Sequence, residues 1–207
     1  PPVVWKSMEH HESGLVNDRA DWGVVTTPAV ESAPVLPLIC LDVDGTLVGS
    51  AGAPSETLWS AADRARARGQ RLTLCTARLA AGPTREWAVR LDPDGWHVFH
   101  TGAARWNPGS GEVRTSPLAE DAVTRCAAAA AEHGWVFEAY SWDDYVVDSD
   151  ARLARDHAGL LGLPYVRRPL ATLSDPVVRV QFVVPVADAP AALAAARGQG
   201  TSAARSG

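Results

Sequence analysis

The segment that most constrains this chain is Leu38-Ile39-Cys40-Leu41-Asp42-Val43-Asp44-Gly45-Thr46-Leu47. A short apolar run, Val35 to Leu41, ends abruptly in two aspartates spaced i and i+2. Its length and large apolar residues predict a buried central strand of a parallel sheet. Gly45 permits a sharp turn where the strand stops. Open α/β proteins bind their ligands at the C-terminal edge of a parallel sheet. Asp42 and Asp44 therefore stand where chemistry is expected. Two close carboxylates repel and rarely stay together without a cation. The pattern points to a Mg²⁺ site, with one carboxylate free to attack or to move a proton. The plain alternative is a strand that ends in a solvated acidic turn.

Downstream, Ser55 is a natural helix N-cap, and Glu56 in the first turn suits the helix dipole. Leu58, Ala61, Ala62, Ala65 and Arg68 follow at helical spacing, and Gly69 ends the segment. Arg71 to Cys75 reads as a strand that runs into Thr76-Ala77-Arg78, and another helix continues to about Leu91. Strand, helix, strand, helix predicts a right-handed parallel unit with Thr76 beside Asp42. Trp96 to His100 reads as a further strand, followed by Thr101-Gly102-Ala103. Arg105 to Val113 then reads as a hairpin.

These motifs resemble the haloacid dehalogenase superfamily of phosphohydrolases, in its Cof-type sugar-phosphate phosphatase branch. The family's first motif reads DxDGT. The resemblance makes Asp42 the nucleophile and a metal ligand. It makes Asp44 the general acid/base, with its carbonyl on the metal. Phosphate binding falls on Gly45, Thr46, Thr76, Ala77 and Arg78. The second motif reads TGR in this branch, so Ala77 replaces a glycine, a small change unless that position needs positive φ. The third turn reads NGA in the branch, so Thr101 replaces asparagine. The implied fold is α/β: a partial Rossmann-like core over residues 35–115 and an inserted α+β cap over 116–196. Asp42, Thr76 and Thr101 are expected at the ends of three neighbouring parallel strands in a three-layer core. The cap pattern comprises helices Leu118 to His133 and Ala151 to Leu161, strands within Trp135 to Val147 and Val177 to Val184, and a helix start at Ala187. Tyr140, Trp142, Asp143, Asp144 and Tyr145 are candidates for its inner face.

The resemblance also calls for a lysine motif and a GDxxND-like acidic pair, which stabilise charge during phosphoryl transfer. The one lysine, Lys6, precedes the first motif. Asp143-Asp144 and Asp148-Ser149-Asp150 fall inside the expected cap. We read this as a truncated or misread product, with a natural short variant completed by another chain as the alternative. Without the further strands, Leu38 to Leu41 is expected to form an exposed apolar edge. The Mg²⁺ site is accordingly expected to be incomplete and activity weak or absent.

Residues 1–34 read as a loosely ordered extension and 197–207 as a flexible tail. His10-His11-Glu12 lacks the second histidine of a zinc motif. A net charge of −5 without a basic stripe disfavours nucleic acid. No apolar run approaches a membrane span, and no signal-peptide pattern appears. The three cysteines form no disulfide framework, and Cys40 and Cys75 read as small apolar core residues. A cytoplasmic location fits these features. The expected partner is a small phosphorylated metabolite, and the sequence leaves oligomeric state open. Two other classes remain in view: a non-catalytic phosphatase-like binding domain and, more remotely, a DxD glycosyltransferase.

Overall fold

The computed structural model describes residues 3–6, 37–49, 52–199 and 204–206. The first unit begins with strand β2 (Leu38–Leu41), which pairs in parallel with β3 (Arg71–Leu74). Helix α1 (Glu56–Ala67) connects them, and Ser55 caps it, its Oγ accepting from Leu58 N at 3.2 Å. Helix α2 (Gly82–Leu91) leads on to β4 (His97–Phe99), which meets the end of β3 through a parallel bridge between Cys75 and Val98. Strands β5 (Ala104–Trp106) and β6 (Val113–Thr115) complete an antiparallel meander with β4.

Two successive right-handed crossovers in the same direction place both connecting helices on one face. Accordingly, the Arg90 guanidinium of α2 lies 4.2 Å above the Trp59 ring of α1. Val43, Trp59, Leu72, Leu74, Leu91 and Phe99 form the core beneath them. The expected three-layer core thus has two layers among the described residues. Leu38, Cys40 and Cys75 instead line an open groove on the opposite face. The reading of a buried central strand is corrected too. Among the described residues β2 pairs only with β3, and Leu38 is 52% exposed. That is the exposed apolar edge expected above, and it leaves Cys40 on the surface rather than in the core. Arg71, the first residue of β3, grips the Asp92 carboxylate with donors at 2.6 and 3.1 Å.

The second unit contains α3 (Glu120–His133), β7 (Val136–Tyr140), β8 (Tyr145–Val147), α4 (Arg152–Leu161), β9 (Arg179–Val184) and α5 (Ala189–Gly198). Gly134 and Gly162 end α3 and α4 with φ of 67° and 69°, the left-handed stop that glycine adopts without penalty. Phe182 and Val184 of β9 pack on α3 and α5. Val183, Tyr140 and Val147 face the opposite way, against Ala154 and Ala158 of α4 and Leu79 of the first unit.

Short strands lie within the stretches expected to be an extension and a tail. Strand β1 (Val3–Lys6) pairs antiparallel with β9, and β10 (Ala204–Ser206) pairs with β1, giving the order β10-β1-β9-β7-β8. An open strand edge presents unpaired backbone groups that any extended segment can satisfy. The remaining residues of 1–34, including His10, His11 and Glu12, lie outside the described residues.

Candidate active site

The chain leaves β2 at Asp42 and folds at once into a tight loop. Val43, Leu47 and Val48 are buried and anchor it from below. Leu47 N donates to Asp42 O at 3.1 Å and Val48 N to Val43 O at 2.8 Å. Gly45 stands at φ 79°, a conformation that costs an L residue roughly 1–2 kcal/mol. The apolar anchors and this glycine raise both aspartates to the surface at the end of the strand. Asp42 Oδ1 accepts from Val43 N at 2.8 Å.

Asp44 is held from the neighbouring loop. Arg78 Nε donates to Asp44 Oδ2 at 3.1 Å, and Arg78 Nη2 donates to Asp44 Oδ1 at 2.7 Å. This two-pronged pair neutralises one of the two carboxylates. With the Asp44 side chain 63% exposed, solvent screens the pair and its contribution to stability is small. Arg78 also lies 5.8 Å from the centre of the Trp87 ring.

Thr76 is buried at the end of β3, and its Oγ1 accepts from Arg78 N at 3.1 Å. The turn after β4 wraps this loop: Thr101 N donates to Thr76 O at 3.0 Å and His100 N to Arg78 O at 3.1 Å. Ala77 does not adopt positive φ, so alanine in place of glycine carries no backbone strain there. Thr101, by contrast, sits at φ 56°. The amides of Asp44 and Ala77 donate to no described group, which leaves two N–H donors at this edge for an anionic ligand. The amides of Gly45 and Thr46 instead close their own loop, onto Val48 O and Val43 O at 3.0 and 3.3 Å.

The Cys75 thiol is pushed up to about 11, first by burial and then by the neighbouring Cys40. It therefore stays protonated near neutrality. Among the described residues no three His, Cys, Asp or Glu side chains gather as a metal cluster. Oxygen donors for a hard cation come from Asp42 and Asp44. Magnesium binds through one or two carboxylates and retains several waters, so this donor set fits it in part.

Asp148 and Asp150 do not reach the site, because both are paired with Arg167. The candidates for the inner cap face serve mainly as structure. Tyr140 and Tyr145 are buried, and Asp144 pairs with Arg168. Trp142 packs against Trp106 with ring centroids 6.0 Å apart, and its carbonyl accepts from Ala80 N at 3.0 Å. Asp143 faces Arg85 at 3.4 Å. Burial raises the Asp143 carboxyl above the usual range, against the pull of Arg85. Sequence reasoning missed Arg179, whose Nη1 donates to Ala77 O at 2.8 Å across 102 residues of chain. No local pattern signals a contact at that separation.

The family model of the haloacid dehalogenase-like hydrolases matches residues 39–160. Among solved structures, a haloacid dehalogenase-like hydrolase from Bacteroides thetaiotaomicron is 22% identical, with a TM-score of 0.66 over 76% of this chain and 61% of that one. A haloacid dehalogenase subclass IIB sugar phosphatase is 16% identical, with a TM-score of 0.65 over 78% of this chain and 64% of that one. A protein from Thermotoga maritima is 14% identical, with a TM-score of 0.65 over 76% and 60% of the two chains. At these identities the likeness shows the fold. The chain spans about three-fifths of the length of these structures. No curated protein matches it in sequence.

Proposed function

Because the chain belongs to the haloacid dehalogenase-like hydrolases, we propose that it binds small phosphorylated metabolites at Asp42, Asp44, Thr76 and Arg78 and hydrolyses them slowly. Sugar phosphates are the first class to test. The observation that carries this reading is the juxtaposition of an exposed carboxylate pair, the arginine that grips Asp44, and two unpaired amides at one sheet edge.

In this scheme the phosphoryl oxygens take the Ala77 and Asp44 amides and the Thr76 hydroxyl. They also compete with Asp44 for Arg78. Once Arg78 turns to the phosphate, Asp44 is released to hold a proton. Asp42 attacks phosphorus and forms an aspartyl-phosphate, while Asp44 protonates the departing ester oxygen. Asp44 then takes a proton from the water that attacks phosphorus and frees Asp42. Mg²⁺, when bound, would be held by the Asp42 carboxylate and the Asp44 carbonyl and would offset charge on the phosphoryl oxygens. A cavity of about 210 Å³, bordered by Leu79, Ala81, Asp143, Asp144, Tyr145 and Arg168, lies beside the loop that follows Arg78, and its carboxylates suit the hydroxyl groups of a small sugar-like leaving group.

Loss of one electrostatic stabiliser commonly costs ~10²–10³ in rate. The one lysine, Lys6, precedes the first motif in sequence, and among the described residues no acidic cluster adds to the aspartate pair. Turnover is therefore expected to be slow. Release of p-nitrophenol from p-nitrophenyl phosphate with Mg²⁺ tests the reading. Slow turnover abolished by Asp42→Asn supports it, whereas turnover unaffected by that change would sink it. A second reading, a phosphate-binding domain without catalysis, draws on the same Arg78–Asp44 pair, which keeps the acid/base occupied. Phosphate binding with no turnover would favour it. A cytoplasmic location is part of the proposal; no described helix is long and apolar enough to cross a membrane.

A further inference from the structure

We propose that Arg179 is a positioning residue for the phosphate site: from the second sheet it fixes the Ala77 carbonyl, and through the N–H of that same peptide, on Arg78, the Thr76 hydroxyl. This inference rests on the phosphate-binding reading of the loop at 76–78.

Arg179 opens β9 and stands opposite Tyr140 in the register of β7. Its side chain is almost wholly buried, and its Nη1 reaches Ala77 O at 2.8 Å. The guanidinium lies 3.9 Å over the Tyr140 ring. That ring is itself immobilised. The Tyr140 hydroxyl donates to Glu138 Oε2, and burial together with the Glu138 charge holds the phenol well above its usual range. Glu138 Oε1 bonds His157 Nδ1 at 2.9 Å, and Gln181 Nε2 meets His157 Nε2 at 3.0 Å. A continuous buried chain thus runs from α4 through β7 to the one carbonyl at the middle of the loop.

Burying a guanidinium is costly, and here Arg179 Nε has no partner. Docking of the two units does not need this expense. Leu79 is already buried in the second unit's core, and Ala80 N is bonded to Trp142 O. What Arg179 adds is a fixed orientation for the Ala77–Arg78 peptide. The N–H of that peptide, on Arg78, donates to Oγ1 of the buried Thr76 hydroxyl at 3.1 Å. Arg179 touches neither substrate nor reacting atoms. It acts through the peptide.

The test is an NMR titration of the full chain with inorganic phosphate and Mg²⁺, followed at the amides of residues 76–78. The unmodified chain and Thr76→Ala test the underlying reading. Phosphate must move these amides in the first and bind less tightly to the second, and failure of either arm refutes that reading. Arg179→Met tests the positioning role. Its expected signature is a shift of the 76–78 amides before any ligand is added, signals of α3 and α5 unchanged, and phosphate affinity about tenfold weaker, the weight of one misplaced hydrogen bond from the Thr76 hydroxyl to the charged phosphate. Affinity equal to that of the unmodified chain would overturn the proposal. Should Arg179→Met fail to fold, Arg179→Lys decides. Lysine keeps the charge and the stem but not the planar fork. Affinity reduced at least threefold is expected, and undiminished affinity would overturn the proposal.

Discussion

The turn that wraps the phosphate loop contains a strained residue whose relief is measurable. Thr101 sits at φ 56° and ψ 36°, in the left-handed region. For a β-branched residue this is an outlier, whereas asparagine is enriched there. The penalty for an L residue is roughly 1–2 kcal/mol, and asparagine recovers part of it by local hydrogen bonding. The Thr101 side chain is exposed, so replacing it forfeits no packing. The bond from Thr101 N to Thr76 O involves only the backbone and survives the change. Thr101→Asn should therefore stabilise the chain by about 1 kcal/mol, a rise in melting temperature of about 2–4 °C for a domain of this size. Urea unfolding gives the cleanest reading: the midpoint should rise with an unchanged slope. Thr101→Val, equally branched, should leave the midpoint where it is. An unchanged or lower midpoint for Thr101→Asn would refute the assignment of strain to this residue.

Other outcomes follow from the same structure. His97 is buried as the neutral ring, its Nδ1 accepting from Leu74 N at 3.0 Å and its Nε2 donating to Asp92 O at 2.8 Å. Burial lowers its folded pKa, so the stability it contributes is present above its unfolded value near 6.5 and is lost as pH falls through the folded value. Urea midpoints should drop from pH 7.5 to 5.5, and a rise would contradict this. Arg78→Met should weaken inorganic phosphate binding by about tenfold or more in a calorimetric titration, because a charged donor is lost; undiminished binding would remove Arg78 from the site. Gly45→Ala should destabilise by about 1 kcal/mol in the urea assay, since φ 79° disfavours any Cβ although none would clash. With its thiol held near 11, Cys75 should resist iodoacetamide at pH 8 while the exposed Cys40 reacts, as peptide mass spectrometry would report; equal labelling would contradict the raised Cys75 thiol.

What was legible in the sequence was local. The apolar run into Asp42-Val43-Asp44-Gly45, the Ser55 cap and the helix ends at His133 and Leu161 each depend on neighbouring residues, and each element appears near its expected place. The parallel register that brings Asp42 and Thr76 to one edge follows from the right-handed crossover. What was not legible depends on distant parts of the chain. The Arg78 grip on Asp44 spans 34 residues and the Arg179 bond to Ala77 spans 102, and neither leaves a periodic trace. Cys40 reads as core because its strand is apolar, yet exposure is decided by which neighbours the strand has. Strand β1 escaped notice because four residues are too few for alternation to stand out from a segment of poor periodicity.

The central claim is that Asp42 is the group that takes the phosphoryl moiety. Beryllium trifluoride coordinates a nucleophilic carboxylate in the tetrahedral geometry of an acyl-phosphate, so ¹⁹F NMR of the chain with beryllium fluoride and Mg²⁺ tests the claim without requiring turnover. Bound fluorine resonances are expected in the unmodified chain, persisting in Asp44→Asn and vanishing in Asp42→Asn. Bound resonances that survive Asp42→Asn, or none in the unmodified chain, would contradict the claim.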